Sequence, residues 1–375
     1  TYPGDTVNQF WEAEAIAVFV PVGANGFVTL AIRSFSEEDE NTIDRKSKKM
    51  VKPQFTKNKK VGPVKNESIP VHISLGFTLK ATSNSIPRDR MLNALDTFAL
   101  PENCVERSMK DLILGIKSDN DVNHKGTLPS DFSIESFNSL NEYQNEAIRN
   151  ALTHKISLIQ GPPGTGKTVT SAMIVHHMLQ YPVKKRSKIL VCAPTNIATE
   201  HLTDKIASLG INVTRIVSSR LEIDEDNISP HSLSRKVENN IHSEEYSELA
   251  KTLRKSGMLE ASLMKKFKSL YNKSASQVIN DSDVICSTLT SAGSHLLSSV
   301  RFSDLIIDEA AQATEPECLI AIVKNPSRIV LIGDHQQLGP VIRCTTEVGK
   351  GLDVSLFERF AKTDLPMTKL NIQFR

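Results

Sequence analysis

The chain has 375 residues, 39% of them hydrophobic and 23% charged, with a formal net charge of +2. That is enough for two or three domains with substantial cores, and it excludes wholesale disorder. No run approaches the roughly 18 apolar residues of a membrane span and no signal peptide is visible, while a start at Thr1 rather than Met suits a piece of a longer protein.

Taken in chain order, residues 1–84 read as β-rich. Glu14 to Val22 forms a strand-like run, Pro21 to Gly26 signals a turn, and Phe27 to Ile32 can pair back as a hairpin. Val71 to Leu79 suggests a further strand. Between them the stretch Glu37 to Lys60 turns from acidic to basic, which suits a solvated loop or a basic edge against nucleic-acid backbone. From residue 85 the period becomes helical. Met91, Leu92, Leu95 and Phe98 suggest one helical face, and Val105, Met109, Leu112, Ile113 and Ile116 another. An Asp-, Asn- and Ser-rich linker follows, from Ser118 to Ser133.

Beyond Ser139 short apolar runs alternate with helical ones. The strand-like runs are Ile156–Gln160, Lys188–Ala193, Val213–Val217, Asp283–Ser287, Asp304–Asp308 and Arg328–Ile332. Runs apolar at successive positions, separated by helices such as Ile197–Leu209, predict a parallel, doubly wound α/β sheet buried on both faces. In that helix Ile197, Leu202, Ile206 and Leu209 are read as the buried face. Residues 221–280 interrupt the pattern as a charged helical hairpin insertion. The five cysteines form no C-x-x-C pair and no ligand spacing with the ten histidines, so reduced, buried thiols and no structural metal are expected.

The chemistry starts at Gly161-Pro162-Pro163-Gly164-Thr165-Gly166-Lys167-Thr168, which fits the phosphate-loop pattern between a strand and a helix. Glycines let successive N–H groups turn inward around a phosphate, and the helix dipole adds positive potential. Lys167 places a charge on the β/γ-phosphates and the Thr168 hydroxyl suits Mg²⁺. Asp308-Glu309 closes an apolar strand, where phosphate-loop enzymes hold Mg²⁺ with the aspartate and orient water with the neighbouring glutamate. Gly333-Asp334-His335-Gln336-Gln337-Leu338-Gly339-Pro340 follows the next strand, at the sheet end where ligands bind. Gln337 could sense a γ-phosphate there without adding charge.

These motifs, in this order, resemble those of superfamily 1 helicases. The flanking residues are similar to the RNA helicases of nonsense-mediated mRNA decay: Val169-Thr170, Ala313-Thr314-Glu315-Pro316-Glu317-Cys318, Ser355-Leu356-Phe357-Glu358-Arg359, and Phe77 to Ser83. The resemblance implies a RecA-like lobe over residues 139–375, a small β-barrel over 1–84, stalk helices over 85–138, and a second RecA-like lobe absent from this chain. It implies that Gln144 reads adenine and Phe374, where the family usually has Tyr, stacks on it. Lys167, Thr168 and Asp308 then serve phosphate and Mg²⁺, Glu309 is the base, and Gln337 and Arg375 reach the γ-phosphate. Pro194, Thr195, Asn196, Ser287 and Thr288 hold the nucleic-acid backbone. The implied cofactors are ATP and Mg²⁺. The implied partners are single-stranded RNA, with DNA as the alternative, and decay and translation-termination factors around a cytoplasmic, nucleus-shuttling monomer. An ATP-gated clamp that recruits decay factors is the reading from another class. With Phe374 and Arg375 in a tail assumed to be untethered, this length of chain alone is expected to stack adenine weakly and to turn over little.

Overall fold

The computed structural model describes residues 15–19, 29–32, 86–100, 105–116, 119–122, 127–135, 139–184, 187–217, 229–241, 244–256, 259–342 and 351–374. The basic stretch 37–60, the strand expected at Val71–Leu79, the resemblance at Phe77–Ser83, the turn Pro21–Gly26, Cys104, Cys344 and Arg375 lie outside them. The chain divides into two units, Thr1–Ser83 and Asn84–Arg375.

In the first unit, β1 (Ala15–Phe19) pairs antiparallel with β2 (Thr29–Ile32), as the hairpin pattern anticipates. Ala15 faces Ile32 and Ala17 faces Leu30, and the register shifts between Ala17 and Phe19.

The second unit is built on a seven-stranded sheet. Its strands are β3 (Ile156–Gln160), β4 (Lys188–Ala193), β5 (Val213–Ile216), β6 (Val284–Thr288), β7 (Phe302–Ile307), β8 (Arg328–Gly333) and β9 (Met367–Lys369). They lie in the order β5-β6-β4-β7-β8-β3-β9, and every pairing is parallel. Alternation along each strand fills two cores. Leu158, Leu190, Cys192, Ile285, Leu305 and Leu331 bury one face of the sheet, while Ile159, Ile189, Val191, Cys286, Ile306 and Val330 bury the other. At roughly 1.5–3 kcal/mol per fully buried aliphatic side chain, this sheet is the main stabilising element. It is a RecA-like α/β fold: β8 separates the phosphate-loop strand β3 from the acidic strand β7, so three loops open at one sheet end.

The helices differ from expectation in detail. In α1 (Ile86–Ala99) the buried side runs through Met91, Ala94 and Phe98, while Leu92 and Leu95 are exposed. In α2 (Arg107–Ile113) Met109, Leu112 and Ile113 are buried, and Ile116 lies exposed beyond the helix. Linker residues follow, and α3 (Glu142–Thr153) then leads into β3; α4 (Lys167–Gln180) follows the phosphate loop and α5 (Asn196–Ala207) follows β4. Ile197 is 70% exposed, five residues from Leu202 and so on the wrong side of the helix. The described part of the insertion carries α6 (Leu233–Asn240), α7 (Glu244–Ser256) and α8 (Ala261–Asp281) rather than a plain hairpin. Leu233 and Val237 of α6 join the main core, and Tyr246 of α7 stacks on Phe267 of α8 at 5.0 Å. Leu263 of α8 is exposed. The sheet gains β9, which no apolar pattern announced: only Thr368 of its three residues is buried.

At the sheet end opposite the phosphate loop, Arg328 and Asp304 form a fully buried ion pair. Arg328 also donates to the carbonyls of Leu152 (3.4 Å) and Tyr181 (3.3 Å), which satisfies the ends of α3 and α4.

Candidate nucleotide site

The phosphate loop leaves β3 at Gly161, whose N–H donates to Gly333 O of β8 at 3.1 Å. A Cβ at Gly161 would stand 2.5 Å from Thr165 Oγ1, which donates to Pro162 O at 2.8 Å and closes the loop. Gly166 has φ +82, the left-handed region open to glycine, and directly precedes α4. Lys167 Nζ donates to Gly161 O at 3.0 Å and lies 3.7 Å from Glu309 Oε1. The lysine therefore points over the loop between its backbone and the acidic strand end. Thr168 is in the first turn of α4, so the expected phosphate-binding elements are assembled.

Asp308, just past β7, is buried. Burial first, and Glu309 second, push its carboxyl up to about 7, against the Glu309 N–H (2.9 Å), Lys167 and Ser171, which pull it down. A carboxylate whose charge is so costly suits a hard dication, and with the Thr168 hydroxyl as second donor the residue types are those that would fit Mg²⁺. Glu309 adopts φ 51, a left-handed conformation costing about 1–2 kcal/mol for a non-glycine residue. Gln312 Nε2 holds its other oxygen at 3.3 Å. Strain of this kind at the end of an acidic strand marks a side chain kept in place for its chemistry.

Gln144 is 3% exposed and is the N3 residue of a capping box on α3: its N–H donates to Asn141 Oδ1, and its Oε1 accepts from Asn141 N–H at 3.1 Å. Its Nε2 would be 2.9 Å from a Cβ on Gly166, so only glycine admits it beside the loop. Phe374 is not in an untethered tail. Its N–H donates to Gly164 O at 2.9 Å, and its ring edge would be 3.6 Å from the same Cβ on Gly166. With 61% of Phe374 exposed, Gln144, Gly166 and Phe374 form a floor open on one side, the shape a flat base needs.

Gln337 lies in the third loop, which leaves β8 at Asp334, and donates from Nε2 to Asp334 Oδ2 at 2.7 Å. Burial raises the Asp334 carboxyl, but hydrogen bonds from Gln337, the Gln336 N–H and Gln160, with Lys167 nearby, hold it below the ordinary range. Asp334 belongs to the Gly333–Pro340 motif, but the sequence assigned it no role, and Gln160 carried only a positional signal, next to Gly161 at the end of β3, which pairs with β8.

The residues expected to hold nucleic acid are less uniform. Pro194 and Thr195 line an open groove of about 810 Å³ with Gln312, Gln337 and Pro340. Thr195 caps α5 through Ala198 N–H, and Asn196 O accepts from Arg215. Thr288 caps the short helix α9 (Leu289–Ala292). Ser287 is fully buried with its hydroxyl 3.7 Å from Cys192 Sγ, so its side chain faces the core and cannot grip a backbone. The thiols of Cys192 and Cys286, in the core, are pushed up to about 12 by burial.

Residues 139–266 and 254–344 match the AAA domain family, and together these segments cover more than half of the chain. The chain belongs to that family. Within it, this AAA domain is similar to ATP-dependent helicase NAM7 of Saccharomyces cerevisiae, 40% identical over 306 residues, 82% of this chain and 31% of that protein. It is 38% identical over 313 residues to a regulator of nonsense transcripts 1 homolog of Arabidopsis thaliana, covering 83% of this chain and 25% of that one. ATP-dependent helicase upf1 of Schizosaccharomyces pombe is 36% identical over 317 residues, 83% of this chain and 34% of that protein. The chain thus spans about a quarter to a third of the length of these curated relatives, at 31%, 25% and 34%. A solved structure of arterivirus nonstructural protein 10 (helicase) is 17% identical over 60% of this chain and 36% of that one, with a TM-score of 0.31; so low a score adds nothing to the sheet topology of the AAA domain.

Proposed function

We propose that this AAA domain is the first motor lobe of an Mg²⁺- and ATP-dependent helicase that moves 5′ to 3′ on single-stranded RNA in nonsense-mediated mRNA decay. The convergence of Lys167, Asp308 and Glu309 above a phosphate loop floored by Gln144 and Phe374 carries the reading. Relatives named ATP-dependent helicase and regulator of nonsense transcripts 1 support the motor and transcript context of the reading. In this reading residues 1–84 form a small β-barrel, 85–138 stalk helices, and Arg375 with a second lobe completes the γ-phosphate contacts. Decay and translation-termination factors are the protein partners of a cytoplasmic, nucleus-shuttling monomer. No described helix is long and apolar enough to cross a membrane.

At the site Lys167 and the N–H groups of the phosphate loop would neutralise and orient the phosphates, and Thr168 and Asp308 would hold Mg²⁺, which would supply further polarisation of the phosphate oxygens. Glu309, fixed by Gln312, takes the proton of the attacking water. Phosphate release in the longer protein, measured with poly(U) and with poly(dT), tests this. Wild type should respond to poly(U), and Lys167→Ala should lose nucleotide binding with an unchanged circular dichroism spectrum. Stimulation by poly(dT) alone would make it a DNA motor. ATP binding with no polymer-stimulated release would favour the clamp.

A further inference from the structure

The residue that holds the γ-phosphate glutamine has not been assigned, and the geometry points to Asp334: its buried carboxylate fixes the Gln337 amide in one orientation and ties it, through Gln160, to the strand that carries the phosphate loop. Asp334 is 4% exposed, and donors occupy both of its oxygens. Oδ1 accepts from Gln336 N–H (3.1 Å) and Gln160 Nε2 (3.3 Å), and Oδ2 accepts from Gln337 Nε2 (2.7 Å). A carboxylate is acceptor-only, so both amides must turn their nitrogens toward it. That orientation is dictated by charge rather than by packing. It leaves Gln337 one N–H to donate to a phosphate oxygen and its carbonyl to accept from water.

Gln160 makes the arrangement a link between loops. It is the last residue of β3, it pairs with Gly333 of β8, and Asp334 is the next residue along. Lys167 contributes to the field at Asp334, so the carboxylate lies within electrostatic reach of the phosphate site. The side-chain amide oxygen of Gln160 is buried with no partner, a cost accepted where its nitrogen serves Asp334. Asp334 is thus a positioning residue: it reaches the nucleotide only through Gln337.

The inference rests on the ATPase reading above. Its test is steady-state hydrolysis and ADP affinity of the longer protein as wild type, K167A, Q337A, D334N, D334N/Q337A and Q160M. D334N should lower kcat by about ten- to a hundredfold, because a misplacement of an ångström has that effect. ADP affinity should hold, since ADP lacks the γ-phosphate. D334N/Q337A should be no slower than the worse single variant, because both remove one interaction. Q160M, which keeps the charge and removes one anchor, should lose roughly three- to tenfold in kcat only, and it carries the test if D334N melts early. Additive losses in the double variant, loss of ADP binding by folded D334N, or wild-type kcat in Q160M would each overturn the role of Asp334 while leaving the ATPase reading intact. Hydrolysis surviving in K167A would overturn both.

Discussion

Two carboxylates, one inside β7 and one just past its end, make opposite use of burial. Asp304 is paired with Arg328 and receives Ser303 Oγ–H. Asp308, beyond the last residue of the strand, has burial and Glu309 against its charge and is pushed up to about 7. A strand of six residues therefore carries a structural acid at its third position and leads into an acid of another kind just past its end. The difference teaches that a buried charge marks function when its surroundings oppose it, and structure when they complete it.

Several substitutions break or sharpen that contrast. Glu309→Gln in the longer protein should lower kcat by about 10² to 10⁴, the range of a positioned general base, with ATP affinity and melting temperature kept. Hydrolysis near wild type would move the base elsewhere. Arg328→Met should cost about 3–5 kcal/mol by stranding Asp304, as seen in urea unfolding, because one partner of a buried pair is removed. Adding Asp304→Asn should recover much of that loss.

Asp308→Asn should do the reverse and stabilise the nucleotide- and magnesium-free protein. The folded Asp308 carboxyl is at about 7, above its ordinary 3.8, so between those values the folded state holds the proton that the unfolded chain releases. The native state binds more protons there, and the contribution of Asp308 to stability falls as pH rises from 4 to 7. The gain from Asp308→Asn should therefore be absent near pH 4 and reach a few kcal/mol at pH 8. Unfolding midpoints measured across that range check it, and a pH-independent difference would refute it. The smallest effect is expected at the rim, where Phe374→Ala should weaken ATP by roughly five- to tenfold, in keeping with about 1–1.5 kcal/mol for an aromatic contact, and leave stability unchanged.

The sheet was legible because strands buried on both faces are apolar at successive positions, as in Ile156–Gln160 and Arg328–Gly333. β9 was not, since Met367-Thr368-Lys369 has no such run and is held by pairing with β3. Faces of α1 were misread because Leu92 and Leu95 satisfy a helical period as well as Met91 and Phe98 do, and only packing chooses between them. In the site, the phosphate loop and Asp308-Glu309 carry local signatures. The tether of Phe374 to Gly164 is a long-range backbone contact with none, and Ser287 shows the converse: a motif residue whose strand alternation turns its hydroxyl inward.

Gln144 has a consequence for how freely this lobe can vary. One amide closes the first turn of α3 with its oxygen and lies beside Gly166 of the phosphate loop with its nitrogen, so under the proposed function the demands of helix stability and of base recognition would fall on the two ends of a single group. Glutamate would keep the cap, and its charge would suit the helix start, yet it would erase the donor. Asparagine is too short for either duty. Under the proposed function, glutamate at this position would change the nucleobase preference and keep the cap, whereas side chains that cannot cap would weaken the start of α3.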